Sequence, residues 1–587
     1  MDPVSFDRVR IERGFWADRI HTIRERTAWA CIDECERTHR VDNFRRAGGT
    51  QEGGFEGIYF NDSDVYKVLE GVAYVLMQGG APELERKADE IIDAICSAQQ
   101  PDGYLYTYFI LNTPENRWTD MNLHEAYCLG HMLEGAIAYA RATGKEKWLN
   151  AARRALDQMM EVNGPEGRHW VTGHEELELA LVKLYRYTGE EKYIDYARWL
   201  VEERGHGHLR VPLSPEIDPR NTAYCQDDVP VRELSRVTGH AVRAMYYYSG
   251  VTDLAALLGE KGYEAAMLRV WNSVVPANLY ITGGIGQSAS NEGFTKDWSL
   301  PSLTAYCETC AAIGMALWNR RMELLHGDSR YADLVELEMY NGILAGISLE
   351  GDRFFYDNPL ASAGTHHRRK WFGCSCCPTN LVRFIPSVGD YVCAIDGEML
   401  VIDQFNDSDV CVDVGERQVH FRMSTDYPWD GRVRLTVDGF GGNLRIKLRK
   451  PGWCRAYSLA RNGIAVETCD EGYCTLDVSA GDLLEYGMDM PVRREYADAR
   501  VRENAGRVAV MRGPVVYCAE EIDNPGIPSE YFHAGFCLPK DAELCAEWMP
   551  SLLGGVVRLQ GAGVTLVPYY AWDNRQGGGM AVWMKEV

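Results

Sequence analysis

Three thiols fall within four residues at Cys374-Ser375-Cys376-Cys377, and Pro378 follows them. Earlier in the chain, Glu308-Thr309-Cys310 lies in the segment YCETCAAIG (306–314). Two of the closely spaced thiols together with Glu308 and Cys310 make four donors of a kind that zinc accepts. Thiolates select zinc or an iron–sulfur cluster over magnesium or calcium. A cluster is the weaker match, because a carboxylate would replace its fourth thiolate. The donors have two uses. They can form a closed site that staples the fold, or an open one in which a metal-bound thiolate, deprotonated at neutral pH, attacks an electrophile. The adjacent pair Cys376-Cys377 suits a simple staple poorly, since chelating loops usually space their thiols as CxxC. Spacing alone does not say which thiol would react.

Donors so far apart need a scaffold that returns the chain to one place. Up to residue 394 apolar residues recur at helical spacing, in segments such as 63–78, 124–143, 174–188, 231–249, 303–325 and 378–393. Tyr139-ARAT-Gly144-KEK-Trp148 is echoed by Tyr185-RYT-Gly189-EEK-Tyr193, and more faintly by YYYS-Gly250 and LLH-Gly327-DSR-Tyr331. Each echo reads as a helix that ends on a glycine cap with the next helix following at once. Such hairpins bury their faces only by stacking on neighbours. About a dozen of these helices predict an (α/α)6 toroid over residues 1–394, with an open helical solenoid as the alternative. Beyond residue 395 the texture becomes short and alternating, as in RVRLTV (432–437), NLRIKLRK (443–450), RVAVMR (507–512) and GVTLVPYYAW (563–572). The expected class is therefore α+β multidomain, with the toroid followed by two β-sandwich domains. One spans residues 395–497 and is joined by the C-terminal segment 576–587; the other spans 498–575. Long polar loops at 40–62, 205–230 and 277–302 connect the helices where a toroid would carry chemistry. The third is glycine-rich, but it follows no strand and lacks the spacing of a phosphate-binding loop.

Charge narrows the partners. A net charge of −24, from 61 basic and 85 acidic residues, argues against nucleic acid and anionic membranes and leaves a neutral sugar open. No run of about 18 uncharged apolar residues predicts a membrane span. The opening MDPVSFDRVRIERGFWADRI lacks the apolar core of a signal peptide, so a cytoplasmic protein is expected. The 18 cysteines are then expected to be reduced, and those scattered singly, such as Cys31, Cys96 and Cys128, read as small buried apolar residues.

Motifs along nearly the whole chain carry a resemblance. They include NDSDVYKVLEG (61–71), QQPDGYLYT (99–107), HEAYCLGHMLEGA (124–136), TGHEELELALVKLY (172–185), GHAVRAMYYYSG (239–250), YITGGIGQ (280–287), YCETCAAIG (306–314), FFYDNPL (354–360), WFGCSCCPTNLVRFI (371–385) and PYYAWDNR (568–575). On these the sequence resembles glycoside hydrolase family 127, whose characterised members are β-L-arabinofuranosidases. The resemblance implies zinc as cofactor, held by Glu308, Cys310, Cys376 and Cys377. It implies Cys376 as nucleophile, Glu292 as general acid/base, and His124, His174, His240 and Tyr356 as sugar contacts. The implied partner is a small oligosaccharide or glycoside, and a homodimer is a further expectation. The implied reaction is a double displacement with retention, a thiolate standing in for the usual second carboxylate. Glu292 would begin protonated, which predicts a raised pKa.

Two positions depart from the family pattern. Asp228 stands before PVREL where a histidine is expected, and the segment between Tyr356 and Cys374 is short. Both bear on aglycone preference. Taken singly, the residues have plainer readings: Glu292 as a solvated loop acid, the three histidines as helix caps, Tyr356 as a core aromatic, and His366-His367 as a solvated loop. Alternatives for the whole protein are a related glycosidase with another terminal sugar, an isomerase or lyase on the same scaffold, and a noncatalytic sugar-binding protein with structural zinc.

Overall fold

The computed structural model describes residues 1–208, 222–467 and 472–587. Part of the loop 205–230, residues 209–221, lies outside the described residues.

Among the described residues fifteen α-helices lie within 1–394: Gly14–Thr22, Arg40–Ala47 (where a loop over 40–62 is expected) and Thr107–Leu111, and twelve that build the toroid. They are α1 (Ala28–Arg37), α2 (Asp62–Met77), α3 (Pro82–Ala98), α4 (Glu125–Thr143), α5 (Lys147–Val162), α6 (Leu177–Thr188), α7 (Glu191–Glu203), α8 (Ala241–Leu258), α9 (Lys261–Asn278), α10 (Thr309–His326), α11 (Ser329–Leu337) and α12 (Cys376–Phe384). The even-numbered helices pack each on the next, and α12 returns to α2. That closure makes a toroid and excludes the open solenoid. An inner helix has neighbours on every side and must be nearly free of solvated faces. α8 accordingly buries every residue from Ala241 to Ala255, whereas outer α5 buries a single stripe that includes Trp148, Leu149, Ala152, Leu156 and Met159.

The repeat misplaces one boundary. Gly144, Gly189 and Gly327 do cap their helices in the left-handed region, but Gly250 lies inside α8, which runs on to a cap at Gly259. A Cβ at Gly250 would stand 2.9 Å from the Cβ of Glu178, so glycine is there to let α8 and α6 approach.

The β region differs from expectation at both chain ends. Among the described residues a five-stranded sheet (order Asp2–Pro3, Cys393–Asp396, Met399–Ile402, Asn443–Arg449, Tyr473–Ser479) accompanies a seven-stranded one with Val9–Arg10 at one edge. The N-terminal residues thus complete sheets formed by residues beyond 393. The C-terminal segment does not join them. Met584–Glu586 pairs with Arg507–Arg512, and Gly579–Ala581 pairs with Val515–Glu520 and with Ala361–Ala363. The third sheet, ten-stranded among the described residues, therefore takes a strand from within 1–394. One face of it buries Met511, Val516, Cys518 and Val567 against Tyr280, Leu300, Cys307, Phe355 and Leu360. Those partners lie on the loops that carry the candidate site, so the sheet braces them from behind.

Candidate active site

The inner helices begin at one mouth, and the residues singled out in the sequence sit at those beginnings. His124 caps α4, His174 lies just before α6, His240 caps α8, Glu308 caps α10 and Cys376 opens α12. Helix N-termini present unpaired N–H groups and positive partial charge, which suits an anionic cluster.

Glu308, Cys310, Cys376 and Cys377 place their ligand atoms within 4.8 Å of one another, all buried. The sulfurs of Cys310 and Cys377 are 3.5 Å apart and those of Cys376 and Cys377 3.9 Å. Glu308 Oε1 is 3.4 Å from Cys376 Sγ and 3.7 Å from Cys377 Sγ. Around a tetrahedral cation with metal–sulfur bonds of about 2.3 Å, sulfurs would stand about 3.8 Å apart, and sulfur and carboxylate oxygen about 3.6 Å apart. The donor set fits such an ion in both chemistry and edge lengths. Electrostatics agree. Burial pushes Glu308 well above the usual carboxylate range, and the neighbouring Cys376, Glu292 and Cys374 push it further. Burial, then Cys310 and Cys376, raise Cys377 in the same way. A buried group of acids that oppose each other's ionisation is what a divalent cation relieves. The turn is held by Ser375, whose hydroxyl donates to Phe372 O at 2.6 Å, and by Thr379, whose hydroxyl donates to Ser375 O at 3.0 Å.

Tyr356 stands over the cluster, its hydroxyl 3.3 Å from Cys376 Sγ and 3.6 Å from Cys374 Sγ. Its backbone oxygen accepts from Thr309 N–H at 2.9 Å, tying it to the first turn of α10. The short segment that follows is pinned by Arg368, which donates to Ala345 O and Tyr570 O.

Glu292 reaches the mouth from the loop 277–302, with its backbone in the left-handed region (φ 47°). His240 Nε2 lies 3.2 Å from Glu292 Oε2, and the Tyr306 hydroxyl lies 3.1 Å from Glu292 Oε1 and 3.2 Å from Glu308 Oε2. One hydroxyl proton thus serves two carboxylates. The free-site pKa of Glu292 is opposite to the raised value expected. Burial pushes it up, but the hydrogen bonds of His240 and the Tyr306 hydroxyl, with the charge of Arg243, outweigh burial and hold it below the usual carboxylate range, while burial lowers His240 and keeps its imidazole neutral. A raised value needs apolar or anionic walls, and the immediate partners of Glu292 are donors.

The three histidines form a row, with ring centroids 5.4 Å apart for His124 and His174 and 5.5 Å for His174 and His240. Their hydrogen bonds set their tautomers. His124 Nδ1 donates to Asn122 O at 2.5 Å and His174 Nδ1 to Glu175 O at 2.9 Å, which leaves both Nε2 atoms as acceptors. His240 Nδ1 accepts from Val242 N–H at 3.1 Å, so its Nε2 carries the proton that faces Glu292. Burial, then Arg243, lowers His124 to about 3 and His174 well below the ordinary imidazole value, keeping both neutral. The row thus offers two acceptors to ring hydroxyls and one donor to Glu292.

Several residues at the site carry no chemical signal of their own in the sequence. Tyr306 stands out only as part of the motif YCETCAAIG. Lys67 is a buried cation on α2 that donates to Tyr127 Oη at 3.1 Å, and its charge acts on Cys376 and Cys310. A lone lysine on the buried helix VYKVLEG was the available signal. Arg243 lies beneath the histidines, 3.1 Å from Cys225 Sγ. Other readings change. His366 is not a solvated residue but stacks on Phe355 at 4.7 Å, while His367 is exposed and pairs with Asp573 at 2.7 Å. Asp228 is exposed; its neighbour Asp227 is buried and accepts from Gly205 N–H at 2.8 Å.

Fold and site together are those of a glycoside hydrolase built on a helical toroid. Residues 8–390 match the family model described as the β-L-arabinofuranosidase GH127 catalytic domain, residues 399–492 the GH127 middle domain and residues 492–585 the family 127 C-terminal domain. The chain belongs to glycoside hydrolase family 127. It is 36% identical over 614 aligned residues to a non-reducing end β-L-arabinofuranosidase of Bifidobacterium longum subsp. longum, covering 94% of this chain and 92% of that one. A solved family 127 β-L-arabinofuranosidase from Geobacillus stearothermophilus T6 superposes with a TM-score of 0.94 at 38% identity, covering 99% of this chain and 100% of that one. A second solved family 127 β-arabinofuranosidase superposes with a TM-score of 0.93 at 37% identity, covering 100% and 98%. Among the described residues no helix is long and apolar enough to cross a membrane.

Proposed function

We propose that this glycoside hydrolase releases terminal β-L-arabinofuranose with retention of configuration, using Cys376 as nucleophile and Glu292 as acid/base. Zinc is the cofactor this reading assigns to Glu308, Cys310, Cys376 and Cys377, because three soft donors and one carboxylate within 4.8 Å of one another suit it best. The observation that carries the proposal is accessibility within the ligand set. Cys376 is 9% exposed, whereas Cys377 is 0%, and Cys310 and Glu308 are each 2% exposed. Cys376 is the most accessible of the four donors, and Tyr356 lies against its sulfur.

On this reading His124, His174 and Tyr356 hold the sugar hydroxyls, and His240 orients Glu292. The sulfur of Cys376 bonds to the anomeric carbon as the bond to the leaving oxygen breaks, and Glu292 delivers a proton to that oxygen. Water then attacks the same carbon, Glu292 takes a proton from it, and the thiolate of Cys376 departs. The ionised Glu292 favoured by the free site is the form this second step uses; for the first step the carboxyl must gain the proton. Zinc, when bound, keeps the thiolate ionised near neutral pH and improves it as a leaving group. Catalysis belongs to residues 1–394 on this reading, and the third sheet braces the loops that carry it. The test is hydrolysis of an unactivated β-L-arabinofuranoside followed by NMR, with the first product expected in the β configuration. A first-formed α anomer would rule out the double displacement.

A further inference from the structure

The start of α8 fixes the main chain of Glu292. The Ala241 N–H donates to its backbone oxygen at 3.0 Å, and its neighbour Gly293 bridges to His240. The side chain is less constrained: it is 39% exposed, and a glutamate that open turns among several rotamers unless contacts stop it. Two contacts do so. His240, also of α8, faces Oε2 at 3.2 Å, and Tyr306, from a different loop, faces Oε1 at 3.1 Å. One contact leaves a carboxyl free to swing about the contacted oxygen. A second, on the other oxygen and from another element, fixes its plane. Tyr306 is itself held. It is 5% exposed, its backbone oxygen accepts from Asn358 N–H at 3.0 Å, and Asn358 Nδ2 donates to Cys307 O at 2.9 Å. Cys307, between Tyr306 and Glu308, keeps a left-handed φ of 41° that a non-glycine residue seldom adopts. With that turn between them, the Tyr306 hydroxyl lies 3.2 Å from Glu308 Oε2, while Glu308 Oε1 faces the sulfurs of Cys376 and Cys377 at 3.4 and 3.7 Å. The same hydroxyl thus touches both the donor cluster and the acid/base.

We propose that Tyr306 is a positioning residue for Glu292: through its hydroxyl it fixes the carboxyl plane relative to the cluster that holds Cys376, in both halves of the reaction. This rests on the function proposed above. A phenol keeps its proton near neutral pH, so Tyr306 neither gives one to the sugar nor takes one from water. A misplaced carboxyl costs most where a proton must move. For an alkyl aglycone that is the first step, in which Glu292 protonates the leaving oxygen. For every substrate it is also the second step, in which Glu292 deprotonates water. A p-nitrophenyl group leaves with little help, so its first step is spared.

The experiment compares Tyr306→Phe with wild type on methyl and p-nitrophenyl β-L-arabinofuranoside. On the methyl glycoside kcat/KM is expected to fall by about tenfold to a hundredfold, the worth of one hydrogen bond to a charged group. On the aryl glycoside kcat/KM should stay near the wild-type value, while kcat and KM fall together. Rapid mixing should then show a burst of about one p-nitrophenol per active site, because the glycosyl-enzyme accumulates before a slowed second step. Metal content by elemental analysis is expected to equal that of wild type. Melting temperatures check folding, and Tyr306→Met, which also lacks the hydroxyl, repeats the comparison should Tyr306→Phe fail to fold. Equal losses of kcat/KM on the two glycosides, loss of metal, no loss on either glycoside, or failure of both variants to fold would overturn the positioning role alone. Wild-type protein that hydrolyses neither glycoside overturns the parent reading, and the role of Tyr306 falls with it.

Discussion

His240 performs two tasks that substitution can separate. Its Nδ1 accepts the Val242 N–H at the start of α8, and its Nε2 faces Glu292 Oε2 at 3.2 Å. Losing a helix N-cap lowers stability by about 1 kcal/mol. Losing a hydrogen bond to a charged group removes about 1.5–3 kcal/mol, which is roughly 10- to 150-fold in rate if the contact holds in the transition state. Asparagine caps helices well but is too short to reach Glu292 from the same backbone position. His240→Asn is therefore expected to melt within a degree or two of the wild type, yet to lose between about tenfold and a hundredfold in kcat/KM on an alkyl arabinofuranoside. His240→Ala is expected to lose both stability and activity. The loss in His240→Asn should shrink on a p-nitrophenyl glycoside, whose leaving group needs little protonation. Combined with Glu292→Gln, it should add much less than its single effect, because the two groups act as a unit. Recovery of both melting temperature and activity by His240→Asn would reduce His240 to a cap and refute the orienting role.

The remaining predictions concern the metal, the nucleophile, Lys67 and pH. Purified protein is expected to carry one zinc per chain by elemental analysis, and Glu308→Gln to lose it, since all four donors of the cluster lie within 4.8 Å of one another; zinc-free active protein would contradict the assignment. An epoxide mimic of the furanose should label Cys376, located by peptide mass mapping, whereas label on Glu292 would indicate a carboxylate nucleophile and a structural metal. Lys67→Met should release metal to a chelator more readily than wild type, because a buried cation that acts on Cys376 and Cys310 is removed; unchanged retention would assign Lys67 to packing alone. Glu125 is raised to about 8 by burial, against hydrogen bonds from Tyr104 and Trp118 N–H. A carboxyl raised in the folded state contributes stability that is complete below its ordinary range and is lost as pH climbs through about 8. Melting temperature should therefore fall from pH 5 to 8 more steeply in wild type than in Glu125→Gln, by at most about 1.4 kcal/mol per pH unit; parallel profiles would sink the claim.

Much of the architecture was legible because its signals are local. Helical periodicity and glycine caps at Gly144, Gly189 and Gly327 mark the hairpins, and the residue types at Glu308, Cys310, Cys376 and Cys377 mark a donor set that could hold a soft metal. What tertiary structure decided depends on neighbours remote in the chain. Residues 2–3 and 9–10 are too short to show a strand period, and they become strands only because edges at 393–396 and 408–414 are open to them. Gly250 matched a cap by spacing, but the approach of α6 gives it a packing role instead. The pKa of Glu292 could not be read from its loop, because its sign is a sum over His240, Tyr306 and Arg243 against burial. Accessibility likewise separates Cys376 from Cys377, which sequence places side by side and α12 turns to different surroundings. Residue type determined which chemistry was available; the closing of six inner helices at one mouth decided which atoms could meet to perform it.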